Sequence, residues 1–127
     1  MNTECEIAII GGGIAGMALA LHLHRCGISC RVYEAAPSLK ELGVGITVLP
    51  HAMRELTFLG LGETVEKLGI ENKESRFFNR FGQLIYSEKR GRFAGYKVPE
   101  IGIHRGRLHM TLYRAAVERL GINAVVT

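Results

Sequence analysis

The chain has 127 residues, of which 47% are hydrophobic and 22% are charged, so it can bury a core and is not disordered. Its formal net charge is +4, but its basic residues are scattered, without a sustained Lys/Arg run or a nucleic-acid-binding motif. Composition therefore predicts a globular protein with a solvated basic surface and no nucleic-acid partner.

One uncharged stretch, residues 7–21, has the composition of a membrane or signal segment. Three adjacent glycines at 11–13 make a poor membrane helix, and Glu4 and Glu6 are acidic where a signal peptide is basic. We read no targeting segment and no membrane span, which predicts a cytoplasmic protein.

The cysteines and histidines do not have the spacing of a metal site. An odd number of cysteines also argues against a disulfide framework, so we expect buried, reduced thiols. The three cysteines are Cys5, Cys26 and Cys30, and the five histidines are His22, His24, His51, His104 and His109.

A glycine-rich turn at residues 11–16 lies between an apolar run, 5–10, and a stretch of helix formers, 14–26. The run favours a buried parallel strand, and the stretch favours a helix that ends at Gly27. Elements in this order are typical of a βαβ unit that binds a dinucleotide pyrophosphate at the helix N-terminus.

The residues of this turn have separate predicted roles. Gly11 allows the tight turn out of the strand, Gly13 lets the pyrophosphate approach the backbone, and Gly16 lets the helix lie close to the sheet. The helix start at Ile14 and Ala15 offers unpaired N–H groups to the phosphates. The alternative is a βαβ unit whose glycines serve only the geometry of the chain.

An acidic residue closes the next predicted strand, residues 28–33. Glu34 lies 18 residues after Gly16, close to the spacing of the carboxylate that binds a nucleotide ribose. A carboxylate there favours a free ribose hydroxyl, which indicates FAD or NAD rather than NADP. The motif by itself does not separate FAD from NAD.

The elements after Glu34 change in character. Glycine in the extended segment 43–48 often marks close approach of a ligand or another backbone. Two β-prone runs joined around Gly82 predict a hairpin. The predicted elements are an extended segment at 43–48, helices at 50–59 and 62–68, strands at 75–81 and 83–88, a loop at 90–99, an extended piece at 101–103, a helix at 105–120 that stops at Gly121, and a strand from 123 onward.

The last predicted strand, from residue 123, has no following element to cover it. One βαβ unit with a hairpin would give a thin sheet with exposed edges. We therefore expect the chain to be one part of a larger protein.

Several segments together resemble the N-terminal part of the FAD-dependent aromatic hydroxylases, the single-component flavoprotein monooxygenases. They are residues 11–17, Tyr33-Glu34, 43–46 with 49–52, and 103–105 with Leu108. The segment from Ser87 to Gly106 adds similarity to the branch that contains the phenazine-carboxylate monooxygenases.

The resemblance covers essentially all 127 residues. It implies the α/β class, with a Rossmann-like βαβ FAD-binding fold that carries an inserted β-hairpin. Residues 1–127 are then the N-terminal part of an FAD-binding domain, and about 70–103 are a hairpin insertion on the substrate side.

The resemblance also implies a set of cofactor-binding residues. The glycine motif and its following helix start bind the FAD pyrophosphate, and Glu34 binds the adenosine ribose. The later segments add residues beside the flavin or in reach of FAD. The full set is Gly11, Gly13, Ile14, Ala15, Gly16, Glu34, Lys40, Val44, Gly45 and Arg105.

The function implied is an NAD(P)H-dependent monooxygenase that hydroxylates an aromatic or heteroaromatic acid, with FAD as cofactor and NAD(P)H as co-substrate. In this family the protein places the reactants and excludes water, so we assign no catalytic residue. Family members continue through a second flavin-binding motif and a substrate sheet. We expect this chain alone to be inactive, with the C-terminal part of the enzyme as its partner.

Two alternatives remain open. The chain could be a nucleotide-binding module without turnover, or an NAD-binding dehydrogenase or regulatory Rossmann domain. The predicted hairpin and the segment 103–105 argue against an NAD domain, because a plain NAD domain continues with a third parallel strand.

Overall fold

A computed structural model describes residues 6–127 and divides into two compact units. Unit 1 comprises residues up to 44 together with 105–127, and unit 2 comprises residues 45–104. Within residues 6–127, no helix combines the length and the apolar character that crossing a membrane requires. The elements in chain order are β1 (Ile7–Ile10), α1 (Ile14–Arg25), β2 (Cys30–Tyr33), β3 (Gly45–Val48), α2 (Pro50–Phe58), α3 (Gly62–Leu68), β4 (Ile70–Glu71), β5 (Glu74–Phe78), β6 (Leu84–Lys89), β7 (Ile101–His104), α4 (Arg105–Leu120) and β8 (Val125–Val126), with short 3-10 turns at Gly91–Ala94 and Ile122–Ala124.

Unit 1 is built on a parallel sheet with the strand order β1-β2-β8. The central strand places Val32 opposite Ile9 on one side and opposite Val125 on the other. Its third strand, β8, comes after α4, so strands β3 to β7 lie between β2 and β8 in the chain. The two helices α1 and α4 pack against each other and bury Met17, Leu21 and Leu112.

The sheet of unit 1 is covered on one face, which corrects the prediction of a buried first strand. Ile9 is 6% exposed and Val32 is fully buried, whereas Ile10 is 83% exposed. Successive side chains of a strand point to opposite faces, so burial alternates along β1 and β2. Cys5, which the prediction included in the strand, lies outside the described residues.

The expectation of buried thiols holds for Cys30 and is wrong for Cys26. Cys30 lies on the covered face of β2, with its Sγ 3.8 Å from the carbonyl oxygen of Ala20. Cys26 is exposed because it caps the C-terminus of α1, just before Gly27 turns the chain with a φ of +74°.

Unit 2 is antiparallel. Strand β7 lies between β3 and β4, with Val48 and Glu71 both opposite Ile101. Helices α2 and α3 pack on each other and bury Met53 and Val65. The unit therefore has an apolar core of its own.

The hairpin of unit 2 pairs β5 with β6 and is confirmed to within three residues at its ends. At its turn, the side-chain oxygen of Asn79 accepts hydrogen bonds from the backbone N–H groups of Phe81 (2.9 Å) and Gln83 (3.0 Å). Gly82 has a φ of +80°, which favours glycine, so the turn forms where the sequence placed it.

The other element bounds follow the predictions closely. The helices predicted at 50–59, 62–68 and 105–120 are found within one residue. The predicted extended segment at 43–48 is a strand only over Gly45–Val48, and the predicted final strand begins with a 3-10 turn. The predicted loop at 90–99 likewise contains a 3-10 turn.

Candidate nucleotide-binding site

The glycine-rich turn leaves β1 through Gly11, whose φ of +103° lies in a region that L side chains rarely adopt. The N–H of Gly11 donates a 2.7 Å hydrogen bond to the carbonyl oxygen of Tyr33, the last residue of β2. This hydrogen bond holds the start of the glycine turn against the end of β2, directly before Glu34.

Gly16 is required by the close packing of α1 on the turn. A Cβ at this position would lie 2.0 Å from the carbonyl oxygen of Gly11, which is far inside van der Waals contact with backbone. The absence of a side chain therefore lets the first turn of α1 lie directly over the end of β1.

Gly13 differs from Gly11 and Gly16, because neither its backbone conformation nor its neighbouring atoms require a glycine at this position. Its φ of −73° and ψ of −174° suit any residue, and a Cβ there would meet no atom within 4 Å. The first N–H groups of a helix have no partner within the helix and carry its positive dipole end. Open space beside those groups suits a pyrophosphate, and a side chain at residue 13 would enter it.

Glu34 turns its carboxylate back onto the glycine turn. Its Oε2 accepts a 2.6 Å hydrogen bond from the N–H of Gly12, and its Oε1 accepts a 2.8 Å bond from the N–H of Ala36. The backbone bond from Ala36, followed by that from Gly12, lowers the pKa of the Glu34 carboxyl. The group is therefore ionised at neutral pH, and each oxygen keeps a lone pair for a ribose hydroxyl.

His109, in the second turn of α4, contacts the same glycine turn. Its Nε2 lies 2.5 Å from the carbonyl oxygen of Gly12 and donates to it, since a carbonyl can only accept. From the sequence, His109 was a candidate only for a metal site. One sequence feature does connect His109 with the predicted nucleotide site: it lies four residues after Arg105, so both side chains are on one face of the predicted helix.

A second group of predicted residues meets at the first turn of α4. The N–H of Arg105 donates a 2.9 Å hydrogen bond to the carbonyl oxygen of Val44. A Cβ on Gly106 would lie 2.7 Å from the carbonyl carbon of Glu41, so the segment before Val44 lies directly against the helix. The Arg105 side chain is exposed, as is that of Lys40 just before this segment.

A sequence model of a known family, described as an FAD binding domain, matches residues 4–119. The chain belongs to this family of FAD-binding domains. The match covers both the glycine turn with Glu34 and the segment around Arg105, and it favours FAD over NAD as the nucleotide.

Relatives of this FAD-binding domain are flavoprotein hydroxylases. The phenazine 1,6-dicarboxylic acid hydroxylase PhzS of Lysobacter antibioticus is 44% identical over 126 residues, which are 98% of this chain and 31% of that protein. The aurachin C monooxygenase/isomerase of Stigmatella aurantiaca is 36% identical over 90% of this chain and 30% of its own length. These similarities confirm the predicted family and its phenazine-related branch.

The fold agrees with a solved structure of the same kind. The tetrameric form of 2-methyl-3-hydroxypyridine-5-carboxylic acid oxygenase superposes with a TM-score of 0.80 at 25% identity, over 98% of this chain and 32% of that one. The predicted α/β fold of the N-terminal FAD-binding part is thereby confirmed. The chain spans about a third of the length of the relatives it matches.

Eight of the ten predicted cofactor-binding residues lie in two groups, and the other two, Lys40 and Gly45, lie outside both groups. The first group surrounds the carboxyl ends of β1 and β2, and the second is the contact between Val44 and Arg105. Lys40 extends into solvent near the second group, and Gly45 begins β3 in unit 2, opposite His104. The first group comprises Gly11, Gly13, Ile14, Ala15, Gly16 and Glu34.

Proposed function

We propose that this chain is the FAD-binding portion of an NAD(P)H-dependent flavoprotein monooxygenase that hydroxylates an aromatic or heteroaromatic acid. The observation that carries the nucleotide part is the glycine turn, where Gly13 is unexplained by the fold and Glu34 is held beside it. The substrate class rests on relatives named for phenazine and pyridine carboxylic acids.

The residues of this chain bind and orient the cofactor in this proposal. The N–H groups at the start of α1 bind the pyrophosphate, and the ionised Glu34 accepts hydrogen bonds from the ribose hydroxyls. Arg105 supplies a positive charge toward FAD. Lys40, Val44 and Gly45 are further cofactor-binding residues in this proposal. Bound FAD, reduced by NAD(P)H, supplies the oxygen-activating chemistry of the family.

The segment of about 70–103 lies on the substrate side in this proposal. It contains the β5–β6 hairpin and the loop that precedes β7. Exposed apolar and aromatic side chains on it, such as Ile85 at 68% and Tyr96 at 60%, suit contact with an aromatic substrate or with a further part of the enzyme.

Hydroxylation requires water to be excluded from the reacting flavin and the substrate to be held against it. The chain spans 31% of the phenazine relative, so we expect it to bind FAD without coupling oxygen use to hydroxylation. If FAD is bound, we expect NADH, a proton and oxygen to be converted to NAD⁺ and hydrogen peroxide, without hydroxylated product.

The experiment supplies this chain with FAD, NADH and phenazine-1-carboxylic acid, and assays hydroxylated product and peroxide separately. The matched sample is a protein extended through the reading frame downstream of Thr127. We expect flavin absorbance to co-purify with both, peroxide from the short chain, and product from the extended protein alone.

Three results would contradict the proposal. Hydroxylated product from the short chain would show that it is a complete enzyme. Tight NAD binding with no flavin binding would favour a dehydrogenase-like domain. An extended protein that binds FAD and forms no product from aromatic acids would favour a binding module without turnover.

A further inference from the structure

Gly12 is bonded on both of its backbone polar groups by side chains from distant parts of unit 1. Its N–H donates to Glu34, 22 residues away, at 2.6 Å. Its carbonyl oxygen accepts from His109, 97 residues away, at 2.5 Å. Hydrogen bonds on both sides fix the orientation of the two peptide planes that meet at Gly12.

The orientation of the second of these planes decides where Gly13 points its N–H. In a trans peptide, the carbonyl and the following N–H point in opposite directions. Because the Gly12 carbonyl points at His109, the N–H of Gly13 points away from His109. Gly13 also borders open space, since a Cβ there would meet no atom within 4 Å.

We propose that His109 is a positioning residue for the pyrophosphate of FAD, acting through the Gly12 carbonyl. This inference rests on the proposed nucleotide site and adds a residue to it. Without the bond from His109, the peptide between Gly12 and Gly13 can rotate, because glycine restrains its backbone weakly. The Gly13 N–H then faces the phosphates for only part of the time.

Alternative roles for His109 are less consistent with the contacts. A metal ligand would need neighbouring donors, and within residues 6–127 no group of three His, Cys, Asp or Glu side chains is placed to hold a metal ion. A core histidine would be fully buried, whereas His109 is half-buried and bonded to the turn.

The test compares two variants of similar side-chain volume, His109→Gln and His109→Leu. Glutamine can still donate to the Gly12 carbonyl, and leucine cannot. Titration of the chain with FAD, ADP and adenosine separates the phosphate contacts from the ribose contact of Glu34. Thermal unfolding of each variant shows whether it remains folded.

For His109→Leu, we expect the dissociation constants of FAD and ADP to rise about tenfold, on the scale of one lost hydrogen bond to a charged group. Adenosine binding should stay unchanged, and His109→Gln should restore FAD affinity to near the parent value. Unchanged FAD and ADP affinity in a folded His109→Leu variant would overturn the proposal. Equal losses for ADP and adenosine would also overturn it, because they indicate a general structural role.

Nuclear magnetic resonance of the free chain keeps this test independent of FAD binding. We expect the ring nitrogen shifts to show a proton on Nε2, and the Gly13 amide to become more mobile in His109→Leu but not in His109→Gln. A ring that lacks the Nε2 proton, or an unchanged Gly13 amide in His109→Leu, would overturn the role of His109. A parent chain with these features that binds neither FAD nor ADP would overturn the proposed function instead.

Discussion

The two units of this protein differ in how their polar groups are satisfied. In unit 1, the glycine turn borders open space at Gly13, where a Cβ would meet no atom within 4 Å, and the first N–H groups of α1 have no partner within the helix. In unit 2, a buried carboxylate, Glu100, is bonded within the unit by Arg90 at 3.0 Å and by Asn72 at 3.1 Å. Arg90 also donates to Glu88 at 2.6 Å, so these charged groups are bonded to one another within unit 2.

This difference separates the proposed binding site from a structural network, although both contain charged groups. The Glu100 carboxylate raises the pKa of the Arg90 guanidinium, and the two charges compensate each other. In unit 1, the Glu34 carboxylate accepts hydrogen bonds from the backbone N–H groups of Ala36 and Gly12, and the nearby His109 further lowers its pKa, in contrast to the guanidinium that pairs with Glu100.

The largest effect that would test this comparison is expected for Gly13→Val. The added branched side chain would enter the space proposed for the pyrophosphate, so FAD binding should fall below detection in isothermal titration. Thermal stability should change little, because a Cβ at this position meets no atom within 4 Å. FAD binding by this variant equal to that of the parent would remove the glycine turn from the site.

The matched substitution at Gly16 separates ligand space from packing. Gly16→Ala places a Cβ 2.0 Å from the Gly11 carbonyl oxygen, so it should lower the melting temperature as well as FAD affinity. If instead Gly13→Val unfolds the chain and Gly16→Ala leaves it stable, the assignment of the two glycines is reversed.

For Glu100→Ala in unit 2, we expect a large effect on thermal stability, whereas Gly13→Val is expected to affect FAD binding. Arg90 then loses the carboxylate that bonds two of its nitrogens, and the melting temperature should fall by about 5 °C or more. Glu63→Ala is the control, because its ion pair with Lys67 is highly exposed and contributes little. Equal melting temperatures for the two variants would show that the buried network is not structural.

A smaller effect is expected for Arg105→Ala. Loss of the proposed charge-assisted contact should weaken FAD binding by about tenfold, with thermal stability unchanged because the side chain is exposed. Arg107→Ala removes an equal charge two residues away on another face of α4 and should leave the dissociation constant near the parent value. Similar losses for both variants would indicate general electrostatic attraction and no specific contact.

The smallest effect is the pH dependence that comes from Glu34. Its folded pKa is lowered, so the stability that it contributes is present above its unfolded pKa of about 4.3 and is lost as pH falls through the lower folded value. Melting temperatures of the parent and Glu34→Gln should therefore differ most above pH 4.3 and converge below it. A difference that grows with acidification would contradict the assigned sign.

Much of unit 1 could be predicted because its signals are local. Helix propensity and a following glycine gave α1, and the motif spacing placed Glu34 at the end of β2. The helix α4 was equally accessible, since its apolar stripe has helical spacing and Gly121 stops it. The family followed from the same residues together with the segment around Arg105, and the match over residues 4–119 confirms it.

The sequence by itself determined most of the helices and strands, the nucleotide motif and the family, because each depends on residues close together in the chain. Tertiary structure alone decided that β1 is covered on one face, that Glu100 is buried with Arg90, and that His109 meets Gly12. The last contact joins residues 97 positions apart, and no local pattern reports which side chain the packing of α4 brings to the glycine turn. Pairings of this kind depend on how helices and sheet pack, so they follow from the assembled fold rather than from the chain's periodicity.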